Sequence, residues 1–168
     1  MSTGDSPPYL EKDVQHAQVG IGEVERLYRE QGGRLWAAVF AYARDRGVAD
    51  DAVAEAFAQL LRRGSEVRNQ AAWVWTATFR LAAGELHRQH SIVHGVPDSS
   101  YEPELADGRV LAAVSKLPER QRAAVVLHYY ADRPVKEAAR IMGTSPAAVG
   151  VHLFRARKQL GELLGDDL

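Results

Sequence analysis

PVKEAARIMGTSPAAVGVHLFRARK, residues 134–158, divides at a glycine into two helical halves. In the first half Val135, Ala138, Ala139 and Met142 recur at helical spacing, and Gly143 follows where a residue of positive φ ends a helix. Ser145 before Pro146 is an N-cap followed by the favoured first helical residue, so a second helix starts there. Along it Val149, Leu153, Ala156 and Leu160 step by four, three and four, one apolar stripe that packs on the first helix. The spacing of Ala139, Gly143 and Val149 is the tight-turn pattern that lets two helices cross steeply. An αα-corner in a helical core has the same spacing; a helix-turn-helix adds a second helix able to enter a DNA major groove. The face left outside holds Ala147, Ala148, Val151, His152, Arg155 and Lys158.

The chain has 168 residues, enough for one ordinary domain or two small ones, and small helical units fit its pattern best. It has no cysteine, which excludes a disulfide framework and a thiolate metal site and fits a reducing compartment. No apolar run approaches the ~18 residues of a membrane span, so a soluble, cytoplasmic protein without membrane contact is expected. The net charge of −1 argues against a protein that coats nucleic acid. That average conceals an asymmetry. Residues 1–108 hold 11 Lys and Arg against 16 Asp and Glu, residues 109–158 hold 10 against 3, and the last ten residues hold none against 3. The basic part coincides with the helix-turn-helix segment, as phosphate docking requires.

Residues 1–22 are polar, rich in Gly and Pro, and predict a mobile tail. Helices are expected over 23–44, with Gly32 and Gly33 as a weak point, and over 49–62, with Asp50 and Asp51 in the first turn. A third, over 69–89, would bury Trp73, Ala77, Leu81 and Leu86 and complete a bundle over 23–89. Residues 90–108 mix Gly, Pro, Ser and acids and predict a flexible linker. A second unit, residues 109–168, follows, with helices over 109–117 and 118–131 before the helix-turn-helix pair. The expected fold class is all-α, two small helical domains on a loose linker.

Four segments, in this order, resemble the extracytoplasmic-function group of bacterial RNA polymerase sigma factors. They are LYREQGGRLWAAVFAYARDRG (27–47), ADDAVAEAFAQLLRR (49–63), AAWVWTATFRLAAGELHRQ (71–89) and the run from KLPERQR to FRARKQL (116–160). The resemblance implies a factor that recruits core RNA polymerase and reads promoter DNA, with an anti-sigma factor as a further partner, and it implies no enzyme. It places polymerase docking at Asp51, Glu55 and Phe57. It assigns promoter melting to the third helix with the loop before it, and duplex reading to the helix-turn-helix.

Trp73 and Trp75 lie two apart and cannot share a helix face. Stripe membership puts Trp73 in the core, leaving Trp75, with Phe79 one turn on, to stack on an unpaired base. Arg80 and Arg88, with His87, are the cations left on that helix, because Thr76, Gly84 and Glu85 stand where such proteins usually carry Arg, Asn or Asp. On the second unit Arg120 and Arg122 are candidates for backbone contact, Ala148, Val151, His152 and Arg155 for base contact, and Arg155, Arg157 and Lys158 for phosphates. With Gly150 and Val151 in place of polar residues, DNA binding by the isolated chain should be poor. No glycine-rich phosphate loop, nucleophile with a base, or buried carboxylate pair stands out, and the spacing of His87, His90 and His94 is not that of a closed zinc site. No cofactor, metal or small-molecule substrate is expected. Two other readings remain open on these residues: a sigma-like module that binds polymerase or an anti-sigma partner without reading promoters, and a stand-alone helix-turn-helix regulator.

Overall fold

The computed structural model describes residues 8–92 and 108–165, so nearly all of the expected linker and residues 1–7 of the expected tail lie outside it. The described residues form α1 (Pro8–Ala43), α2 (Arg46–Arg63), α3 (Gln70–Ile92), α4 (Gly108–Ser115), α5 (Glu119–Val125), α6 (Val135–Met142) and α7 (Pro146–Leu164). A 3-10 turn, Gly64–Glu66, precedes α3, and one π-helical turn, Val126–Tyr130, extends α5.

Helix α1 starts at Pro8, well ahead of the expected residue 23. Proline is tolerated at the first helical position because its missing N–H has no intrahelical acceptor there. The Gly32–Gly33 pair does not break the helix. Gly32 is buried under Tyr28, where a Cβ would lie 3.2 Å from the ring, and the Tyr28 ring meets Phe57 edge-on at 5.0 Å. Helix α2 is capped by Asp45, whose carboxylate accepts from the Val48 amide at 2.9 Å. It therefore begins at Arg46, and Asp50 and Asp51 lie beyond its first turn, not within it as expected.

The two units do not stand apart. One apolar core runs from Val24 in α1 to Ala156 in α7, and α3 packs on α6 as well as on α1 and α2. Polar contacts run along the same seam. Arg122 donates from Nε to the Tyr42 carbonyl at 2.6 Å and from Nη1 to the Leu117 carbonyl at 3.0 Å. The Tyr42 hydroxyl donates to Glu119 at 2.5 Å, Arg34 pairs with Asp132 at 2.7 Å, and Arg44 donates to the Leu111 carbonyl at 3.3 Å. Two of these residues, Arg44 (φ +59°) and Asp132 (φ +51°), hold the left-handed conformation that costs a non-glycine residue about 1 kcal/mol. Burial, then the neighbouring Glu119, raise the Tyr42 hydroxyl far above the ordinary phenol range, so it stays a donor.

The helix-turn-helix folds as its sequence predicts. Gly143 ends α6 at φ +65°, and the Ser145 hydroxyl accepts from the Ala148 amide at 3.1 Å to open α7. Val149, Leu153 and Ala156 are buried beneath it, with Leu160 half-buried.

Three expected outcomes follow, all read by urea or thermal unfolding. Gly143→Ala should destabilise by about 1–2 kcal/mol, because alanine is strained at positive φ. Gly150→Ala, on an exposed turn of α7 with open space at the Cβ, should stabilise by about 0.5–1 kcal/mol. Equal effects would remove the conformational argument. Arg122→Ala should cost roughly 2–3 kcal/mol, since two carbonyls lose a charged donor, and Arg122→Lys should not restore the fork.

Candidate nucleic-acid interface

At 3.6 residues per turn, Ala147, Val151, Phe154 and Lys158 fall within about 60° of one another, opposite the buried stripe of α7. All four are exposed, Val151 by 47% and Phe154 by 66%. Phe154 is absent from the sequence-predicted set, although its spacing from Ala147, Val151 and Lys158 repeats the four-three-four step of the inner stripe. Arg155 is exposed beside this arc, whereas Ala148 and His152 lie farther round toward the buried stripe and are half-buried. Burial, followed by the positive charges of Arg120 and Arg155, lowers the His152 pKa below the ordinary imidazole value. Arg157 is tied to the exposed Tyr129, donating to its hydroxyl at 2.7 Å.

On α3 the burial of the two tryptophans is the reverse of that expected. Trp75 is 0% exposed; its indole donates to Gln31 at 2.9 Å and the Arg133 guanidinium lies 4.3 Å from its ring centroid. Phe79 is buried as well, near-parallel to Trp75 at 6.2 Å and 5.5 Å from the Tyr42 ring. Neither can stack on a base in this arrangement. The cause is the seam: α3 has neighbours in both units, so its buried side widens to Val74, Trp75, Thr78, Phe79, Ala82 and Leu86. Trp73, Ala77 and Leu81 are only half-buried. By helical arithmetic Trp73 lies in line with Arg80, Gly84 and Arg88, all exposed, and the Arg63 guanidinium lies 5.5 Å from its ring centroid. Arg88 is ion-paired with Glu85, which also accepts from Gln89 at 3.3 Å.

On α2, Asp51 and Glu55 are exposed, one turn apart, and Glu55 accepts from Gln59 at 2.8 Å and Arg62 at 3.0 Å. Those bonds lower the Glu55 pKa. Phe57 is 5% exposed and packs in the core under Tyr28, so it cannot supply a docking aromatic; Leu61 is a large exposed apolar side chain on this helix. Arg120 is exposed at the start of α5, but Arg122 is consumed by the seam, and burial lowers its pKa. Tyr42, Glu119, Arg34 and Arg133 were not signalled by any motif, because their partners lie far away in sequence.

Among the described residues no helix is long and apolar enough to cross a membrane. Residues 107–160 match the family model for Sigma-70, region 4. The extracytoplasmic-function RNA polymerase sigma factor BldN of Streptomyces coelicolor is 28% identical over 173 residues, covering 92% of this chain. The chain spans 65% of that relative's length. The sigma factor RpoE from Bartonella quintana, solved with the anti-sigma factor NepR, superposes with a TM-score of 0.64 at 21% identity, over 87% of this chain and 99% of that one. The extracytoplasmic-function sigma factor SigJ of Mycobacterium tuberculosis gives 0.62 at 26% identity, over 83% of this chain and 53% of that one. Residues 107–160 thus match a sigma-70 region 4 domain, and the chain is similar in sequence to an extracytoplasmic-function sigma factor and similar in fold to solved sigma factors.

Proposed function

We propose that this chain is an RNA polymerase sigma factor that brings core polymerase to promoters and has no catalytic role of its own. The observation that carries the reading is the capped helix-turn-helix of a region 4 domain whose outer arc on α7 is left open to solvent. Duplex reading is assigned to that arc, with Arg155 and Lys158 toward phosphate. Core polymerase docks on α2 through Asp51 and Glu55, with Leu61 as the apolar element. On α3 the line of Trp73, Arg80 and Arg88 meets the melted strand, Trp73 offering the half-exposed indole on which a base can stack. An anti-sigma factor is a further partner, in keeping with the complex of the Bartonella quintana relative. The protein works in the cytoplasm, where polymerase and promoters are.

Transcription reconstituted from core polymerase, the full chain and genomic promoter fragments tests this directly, and promoter-dependent product is expected. Polymerase binding without product would instead favour an interaction module, and operator binding by the chain alone a stand-alone regulator. Trp73→Ala should lower product about tenfold while polymerase capture is kept, since base stacking on an aromatic is worth about 1–3 kcal/mol, and Trp73→Tyr should retain most of it. The double variant Asp51→Lys with Glu55→Lys should lose polymerase capture while its unfolding midpoint falls only slightly, since the Glu55–Arg62 pair is exposed. Capture at the wild-type level would remove α2 from the docking surface.

A further inference from the structure

We infer that α7 selects promoter sequence through thymine methyl groups. This rests on the sigma-factor reading and adds what kind of base edge the helix takes. The first three turns of its outer arc present Ala147, Val151 and Phe154, and none of these side chains has a donor or acceptor. His152 lies off the arc, next to the buried stripe, and is half-buried. Gly150, exposed beside the arc, offers no side chain at all.

The major groove displays hydrogen-bonding groups on every base pair and one apolar feature, the C5 methyl of thymine. An apolar side chain set against the N4 amino group of cytosine or the O6 of guanine strips water from a polar group and returns no hydrogen bond, which is costly. Against a thymine methyl the same side chain removes apolar surface from water on both partners. Discrimination is thus attractive at thymine and repulsive elsewhere. The charges sit where they do not interfere, with Arg155 flanking the arc and Lys158 closing it at the fourth turn, so phosphate attraction and methyl contact come from different parts of one helix. The exposure of Phe154 and Val151 is accounted for by a partner that covers them, and the cations alongside fit a polyanionic one.

The test uses holoenzyme, core polymerase with the full chain, to enrich binding duplexes from a random pool. The upstream element recovered should contain thymines, on either strand, clustered where α7 lies. Each is then replaced by deoxyuridine, which removes the methyl and leaves the pairing edge intact. Binding should fall about fourfold per contacted methyl, the value of one apolar carbon taken out of water. Phe154→Ala, an exposed position that does not threaten folding, should abolish the thymine-to-uracil difference at its own contact. Lys158→Ala should weaken thymine and uracil duplexes alike. Equal binding of both duplexes by wild-type holoenzyme would overturn methyl reading while leaving the enriched element, and the sigma-factor reading, intact. Loss of polymerase capture in Phe154→Ala with no uracil effect would assign the face to a protein partner and also overturn it. Failure to enrich any duplex would overturn the sigma-factor reading itself.

Discussion

Trp75 donates its indole hydrogen to Gln31 within the first unit and lies beneath the Arg133 guanidinium of the second, so a single buried side chain takes its acceptor from one unit and the cover of its ring from the other. A buried indole N–H without an acceptor is costly, and a large ring left open to water loses the burial that favours it. Phe79, Tyr42 and Arg122 continue the same contact, and the apolar core passes through it without a break. The arrangement of the two units is a consequence of how α3 is buried.

That seam also carries the backbone cost. Arg44 and Asp132 occupy left-handed conformations at the ends of α1 and of the π turn after α5, and each places a charged side chain across the seam. Arg34 and Asp132 are well exposed and add little between them. Arg122 differs because its guanidinium is largely withdrawn from water and bound to backbone carbonyls of both units. The seam thus combines an apolar centre with two arginines, Arg122 on backbone carbonyls and Arg133 over Trp75, and an exposed ion pair at its rim.

What remains outside is divided by chemistry. Helix α2 shows carboxylates and a leucine, α3 shows a half-exposed tryptophan in line with arginines, and α7 shows an apolar arc with cations around its far end. A chain of net charge −1 cannot rely on bulk attraction to phosphate, and several of its cations are already engaged, Arg88 by Glu85, Arg157 by Tyr129 and Arg122 by the seam. Shape and apolar contact on a partner-held helix suit such a surface better than autonomous electrostatic binding.

The amino-acid sequence by itself determined the elements whose causes are local. Gly143, Ser145 and Pro146 set the turn and the start of α7, and the step of Val149, Leu153 and Ala156 fixed which side of it is buried, because caps and periodicity act within one or two turns. The all-α class and the helix-turn-helix were legible for that reason. Phe57, Trp75, Phe79 and Arg122 were not, since each has its environment set by a segment distant in the chain. A helix read alone shows one apolar stripe, and α3 carries buried residues over a wider arc because a second unit packs on it. Only the tertiary structure decided which tryptophan faces out and which arginines are drawn into the seam. Burial depends on every neighbour at once, and periodicity reports on one helix at a time.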